Sequence, residues 1–307
     1  MPRTGRTRED AHDAGRTVGV MGMVTTVGLV LHPARDSEEA IDTIVKWAAT
    51  RDGTVLGLPD EVGRIHCSAV AVDPATLVER ADLLVSLGGD GTMLRTMRLV
   101  YGRTTPVLGV NLGKLGFLAE IDVGELPPAL SAIDNHEFTV EPRMAVRATL
   151  PGGHTVTAFN DIALARIPGD RMAAVAISVG GNPFVRYAAD AVIVATSTGS
   201  TAYNFSAGGP LVSPLVEGFL VVPAAAHSSF NRALVLSADE EVDLDLLPAS
   251  GGLAVEVDGT VAGRLTAGDR VSVRAVRGAG RVVRLGTTTF YERARRKLRV
   301  SGSAEVD

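Results

Sequence analysis

The chain is most constrained by residues 87–95, LGGDGTMLR, where Gly88, Gly89 and Gly91 close around Asp90 at the end of an apolar strand, 83–87. Glycine lets backbone come close to a ligand that a Cβ would exclude. The N–H groups freed in such a turn, followed by a helix over 92–101, form an anion cradle in which Thr92 opens the helix. A carboxylate beside bound phosphate is repelled unless it faces a metal ion, a hydroxyl or a base. Asp90 in this setting therefore points to phosphoryl transfer onto a hydroxyl. Taken alone, such a turn is more often an ordinary strand-to-helix connection with Asp90 as its N-cap than a catalytic loop. Two further stretches tip the balance: NLGKLGFLAE at 111–120 after a strand at 106–110, and ATSTGSTAYNFSAGG at 195–209 after a strand at 191–194. Small-residue turns following buried strands are where open α/β sheets place ligands.

The first half alternates strands and helices. A strand at 27–31 leads to a helix with a capping-box start at Asp36 and Glu39, whose Ile41, Ile44, Val45 and Ala48 share one face and which Gly53 stops. A strand at 54–58, a helix at 74–81 and the elements around the glycine turn continue the series, predicting a Rossmann-like parallel sheet. From Phe138 onward short alternating runs take over, at 145–150, 173–179, 253–257 and 270–276, with Asp258-Gly259 as a hairpin signal. The second half is thus mainly β, a β-sandwich. The expected division is a disordered tail at 1–22, an α/β domain at 23–137, a β-rich domain at 138–284 and a C-terminal segment at 285–307.

With 307 residues and 46% hydrophobic content, two cores are expected rather than one. A net charge of −5 leaves no basic footprint for nucleic acid, and the cationic run 293–299 reads as the exposed face of a final helix, 290–298. The apolar stretch 18–31 is too short for a membrane span of about 20 residues. Cys67 is the single cysteine, read as a small core residue in a reducing, cytoplasmic setting. His12, His32, His66, His136, His154 and His227 show no metal-ligand spacing. Apolar runs at 219–226 and 234–236 predict a sheet whose outer face needs cover, and hence a homodimer or homotetramer.

In GGDGT at 88–92, GVNLGKLGFLAE at 109–120, the Asn160-Asp161 pair and TSTGSTAYNFSAGGP at 196–210, the chain resembles the NAD kinases, which phosphorylate the adenosine 2′-hydroxyl of NAD to give NADP. GGDGT is shared with lipid kinases and phosphofructokinases; the TGSTAY run is far more discriminating. The resemblance implies that the final helix returns to the first domain. It also implies that Asp90 is the catalytic base and that Gly88, Gly89, Gly91 and Thr92 hold the phosphoryl donor, ATP or inorganic polyphosphate, with a divalent cation, Mg²⁺. The NAD site would comprise Asp90, Gly91, Arg95, Phe117, Leu118, Asn160, Asp161, Arg171, Asp190, Thr198, Thr201, Ala202, Tyr203 and Ser206. Of these, Arg95 and Arg171 would face phosphates, and Asn160 and Asp161 would grip ribose hydroxyls. The family's usual Asn-Glu is here Asn160-Asp161, Thr-Pro-Thr-Gly is residues 196–199 with Ser197, and Asp-Gly is Asp190-Ala191, which opens the acceptor choice to NADH. A lipid or sugar kinase, or a non-catalytic NADP(H)-binding regulator, are the alternatives.

Overall fold

The computed structural model describes residues 23–65, 67–113, 116–286 and 288–300. The tail 1–22, His12, His66, Lys114, Leu115 and residues 301–307 lie outside the described residues. The chain divides into two compact units, one drawn from 1–96, 104–142 and 281–307, the other from 97–103 and 143–280.

The first unit is built on a parallel sheet of β1 (Thr26–Leu31), β2 (Thr54–Gly57), β3 (Val70–Ala71), β4 (Leu83–Gly88) and β5 (Val107–Asn111), in the order β5-β4-β1-β2-β3, with β6 (Ile121–Asp122) beside β5. β1 is the turning point. The chain runs outward from it through β2 and β3 and then returns to β4 on its other side, so the loops leaving β1 and β4 open at the switch point where such sheets bind ligands. β1 and β4 are almost wholly buried, as apolar strands covered on both faces must be. The covering helices are α1 (Glu38–Ala49), α2 (Pro59–Val62), α3 (Pro74–Arg80), α4 (Asp90–Leu99) and α5 (Leu126–Asp134). α1 buries Ile41, Ile44 and Ala48, and α5 buries Leu126, Leu130 and Ile133, in one core with the sheet. Each such large apolar side chain contributes about 1.5–3 kcal/mol. Val45 is only partly buried at its edge, as is Cys67. The capping box at Asp36 and Glu39 is not formed. α1 starts one residue later than that motif requires, with Ser37 at the N-cap and no side-chain cap, and Asp36 accepts the Glu38 N–H at 2.9 Å.

The second unit is mainly antiparallel. Its strands are β7 (Thr139–Thr149), β8 (Thr155–Ala158), β9 (Asp161–Arg166), β10 (Ala173–Val179), β11 (Asn182–Ala189), β12 (Ala191–Thr196), β13 (Gly218–Ala224), β14 (Leu234–Ser237), β15 (Glu241–Leu246), β16 (Leu253–Val257), β17 (Thr260–Leu265) and β18 (Arg270–Arg284). The first few residues of β7 and the last four of β18 belong to the first unit. β11-β10-β15-β18 pair in one sheet and β14-β13-β12-β9-β16-β17 in another. The sheets share a core, Val175, Leu244 and Val271 from one meeting Ile162, Val194 and Val255 from the other. A short helix, α6 (Tyr203–Ser206), follows β12. The cover expected for the outer face at 219–226 comes at least in part from the chain itself. Phe219, Leu220, Val221 and Val222 are buried, and Ala207 and Val212 of the same chain pack on the cluster formed by Ala163, Ile193, Leu220 and Val222.

The final helix, α7 (Phe290–Leu298), belongs to the first unit and carries a true capping box between Thr289 and Glu292. Its cationic run is not all exposed. Arg293 is buried and donates to Glu120 Oε2 at 2.6 Å and, by a shorter contact, to the Ala119 carbonyl. Among the described residues no helix is long and apolar enough to cross a membrane.

Candidate active site

In the first unit the glycine turn meets the loop after β5. Asp90 opens α4, and its carboxylate turns outward instead of capping: Oδ2 accepts the Phe117 N–H and Oδ1 the Leu118 N–H, each at 3.0 Å. Gly116 makes room for this, since a Cβ there would lie 2.2 Å from Asp90 Oδ1. Gly88 is required for a similar reason: its Cβ would fall 2.2 Å from Thr92 Oγ1. Gly91, by contrast, faces open space. The second glycine stretch thus serves Asp90, and Phe117 and Leu118, expected in the NAD site, are largely buried beside it.

The C-terminal helix supplies what the sequence reading missed. Lys297 Nζ lies 3.2 Å from Asp90 Oδ2 and 4.5 Å from the centre of the Phe117 ring. Arg293, one turn earlier on the same face, is locked to Glu120, which also takes Arg284 Nη1 at 2.6 Å and the Leu285 N–H at 3.0 Å. Glu120 has no exposed side-chain surface. A buried carboxylate shared by two arginines and a backbone donor is satisfied on every side, which such burial demands. This cluster fixes the end of the loop that presents the Phe117 and Leu118 N–H groups. The spacing of 293 and 297, four residues apart, was the available signal. Arg95, expected at phosphates, reaches Glu61 and the Leu31 carbonyl, each at 2.5 Å.

In the second unit, two turns hold each other. Thr196 N–H donates to the Asn160 carbonyl at 2.8 Å, Thr196 Oγ1 donates to the Phe159 carbonyl at 2.6 Å, and the Gly199 N–H donates to Thr196 Oγ1 at 2.9 Å. A side chain on Gly199 would stand 2.0 Å from the Asn160 carbonyl oxygen, so only glycine fits. Beneath both lies Asp258. The hairpin signal was correct, with φ of 47° at Asp258 and 77° at Gly259. The side chain does more than turn the chain: Oδ1 accepts the Asn160 N–H at 2.7 Å and the Asp161 N–H at 3.3 Å, and Oδ2 accepts the Phe159 N–H at 3.2 Å and Arg98 Nη1 at 2.9 Å.

Asp161 starts β9 and is buried, with the Tyr203 backbone N–H acting to favour its charged form. Burial, then the nearby Asp258, push its carboxyl from an ordinary 3.8 up to about 7. Tyr203 is half-exposed, and its phenol is raised by burial and by Glu256, Asp161 and Asp190. Thr198 Oγ1 is buried with no partner among the described residues. Such an atom invites a ligand group. Thr201 and Ala202 are part-buried and Ser206 is exposed in the same stretch; Asp190 pairs with Arg166 at 2.6 Å, and Arg171 is exposed.

The raised Asp161 carboxyl has a thermodynamic consequence. Between about pH 4 and 7 the folded chain binds a proton that the unfolded chain has released, so stability falls as pH rises through that window. A shift from 3.8 to about 7 caps the effect at roughly 4 kcal/mol. Asp161→Asn is expected to flatten this part of the profile and to unfold at higher temperature than the parent at pH 8. Thermal denaturation at pH 5 and pH 8 reads it; equal slopes for both proteins would refute it.

Comparison with known proteins agrees with this geometry. The ATP-NAD kinase N-terminal domain model matches residues 27–138 and the C-terminal domain model matches 159–285. NAD kinase 1 of Streptomyces avermitilis is 36% identical, the match covering 91% of this chain and 88% of that one. NAD kinase of Moorella thermoacetica is also 36% identical, over 92% and 91%. Among solved structures, yeast NADH kinase complexed with NADH superposes with a TM-score of 0.81 at 26% identity, covering 92% of this chain and 90% of that one. An NAD kinase from Archaeoglobus fulgidus in complex with ATP gives 0.70 at 25%, covering 90% and 100%. Two domain models covering most of the chain, and relatives of this similarity along its length, establish that the chain belongs to the NAD kinase family.

Proposed function

We propose that this enzyme transfers the terminal phosphoryl group of ATP to the adenosine 2′-hydroxyl of NAD, giving NADP. The observation that carries the reading is the outward-turned Asp90 carboxylate, held by two backbone N–H groups at the end of a glycine turn. A group in that position accepts the hydroxyl proton, or orients the hydroxyl, as its oxygen attacks phosphorus. Phosphoryl transfer asks the protein mainly for positioning and charge stabilisation. Gly88, Gly89, Gly91 and Thr92 provide donor N–H groups, and Lys297 a cation beside Asp90. Asn160 and Asp161 hold ribose hydroxyls, Thr198, Thr201, Ala202, Tyr203 and Ser206 line the NAD pocket, and Asp190 meets an amide or amine. Residues 23–137 with 285–307 act as the phosphoryl-transfer part and 138–284 as the acceptor part.

Among the described residues no three His, Cys, Asp or Glu side chains converge as metal ligands. That donor set fits an ion carried chiefly by phosphate oxygens, with Asp90 as the protein carboxylate at hand. A divalent cation held there, Mg²⁺, would neutralise charge on the donor phosphates. Inorganic polyphosphate as donor, NADH as acceptor, a cytoplasmic location and a homodimer or homotetramer complete the proposal, the last supported by exposed Phe184, Val235 and Val261 in the second unit. Incubation with NAD, ATP and Mg²⁺, followed by an NADP-specific dehydrogenase, is expected to show NADP. NADP formation absent with either donor would overturn the reading.

A further inference from the structure

Arg35 stands on the loop that leaves β1, beside the glycine turn that leaves β4, at the point where the strand order reverses. The two strand ends are tied, the His32 N–H donating to the Leu87 carbonyl at 2.8 Å. The Arg35 guanidinium lies across two glycines. A Cβ on Gly113 would be 2.5 Å from Nη1 and 3.0 Å from Cζ, and one on Gly89 would be 3.9 Å from Nη1. A side chain at 113 would therefore force the Arg35 guanidinium to shift from this position. Its side chain is exposed and has no hydrogen-bond or carboxylate partner among the described residues. The neighbouring arginines are occupied: Arg95 by Glu61, and Arg64 by the Asp60 and Pro33 carbonyls. The ground around it is electropositive, since burial and then Arg35, Arg95 and Arg64 hold the His32 imidazole below its ordinary value.

We infer that Arg35 is a donor-phosphate residue, seated by Gly113 and Gly89 so that its fork grips the phosphate chain of the nucleotide triphosphate at the glycine turn. An unpaired guanidinium against glycine backbone is a two-pronged anion donor, and planar bidentate recognition of phosphate is what arginine does better than lysine. The inference rests on the kinase reading for its substrate. It concerns ground-state binding of the donor, so its signature is a KM effect for one substrate.

The test compares the full chain with Arg35→Ala, Arg35→Lys and Gly113→Ala, using steady-state kinetics and calorimetric titration of ATP with Mg²⁺ in the absence of NAD. Arg35→Ala is expected to raise KM and Kd for ATP at least tenfold while leaving KM for NAD within twofold and kcat at saturating ATP largely intact. Arg35→Lys should recover part of the loss. Gly113→Ala should reproduce it with Arg35 still present, because the added methyl group displaces the guanidinium. ATP affinity unchanged within twofold in Arg35→Ala, or a rise confined to KM for NAD, would overturn the inference. Calorimetry keeps the two readings separable: ATP binding that depends on Arg35 in a protein that makes no NADP would sink the activity and leave the site.

Discussion

Replacing Asp90 with asparagine is expected to lower kcat by about 10²–10⁴-fold, the usual contribution of a positioned general base, while NAD binding is largely kept. Asparagine retains the shape but only one acceptor oxygen, so it holds one of the Phe117 and Leu118 N–H groups and turns an NH₂ toward the other, a local loosening of the loop after β5 that a thermal denaturation run beside the kinetics would register. What it loses is the ability to take a proton from, or to align, the attacking hydroxyl. A loss of this kind lowers kcat and kcat/KM together. Kinetics with an NADP-specific coupling enzyme, alongside calorimetric titration of NAD, would read both quantities. Unchanged kcat would reduce Asp90 to a strut for the loop.

Asp258→Asn is expected to be the most destabilising conservative change in the second unit. Asparagine keeps the left-handed backbone that the turn needs, with φ of 47°. It cannot serve four donors, because one oxygen that now accepts becomes an NH₂ group pointing at N–H groups or at Arg98. The Asp258 side chain has no exposed surface while Arg98 is partly exposed, so the change costs on the scale of a lost charge-assisted hydrogen bond, about 1.5–3 kcal/mol. The loss should appear as a lower denaturant midpoint and, since the Asn160 and Asp161 N–H groups lose their anchor, as a raised KM for NAD. A midpoint indistinguishable from the parent would show that the backbone donors find other acceptors.

Local chemistry made much of this molecule readable. The strands at 173–179 and 253–257 and the helix at 290–298 occur where alternation and helical spacing place them. The three glycine turns are legible because a missing Cβ is a strong statement about what must come close, and the close neighbours are now identified: Thr92 at Gly88, Asp90 at Gly116, Asn160 at Gly199. Family resemblance added the roles that no local pattern carries. What escaped were groups whose meaning depends on partners far along the chain. Glu120 meets Arg293 across 173 residues, and Asp258 meets Asn160 across 98. Arg293 in a cationic run looks solvated, and Asp258 before glycine looks like a turn residue, until the partner is in place. The capping box at Asp36 failed for a smaller reason. Ser37 took the N-cap position, and the Asp36 oxygen turned to the nearest free N–H.

The Glu120, Arg284 and Arg293 cluster bears on how the protein is made. Glu120 is translated well before its two arginines, with nearly all of the second unit in between. A nascent chain that has reached residue 280 holds β1 to β6 and the glycine turn, yet its Glu120 has no cation and its Asp90 no lysine. The loop that presents the Phe117 and Leu118 N–H groups is clamped only by residues that follow the second unit in the chain, Arg284, Arg293 and Lys297. A chain cut before Arg284 is therefore expected to leave Glu120 without a cation and this loop without its clamp.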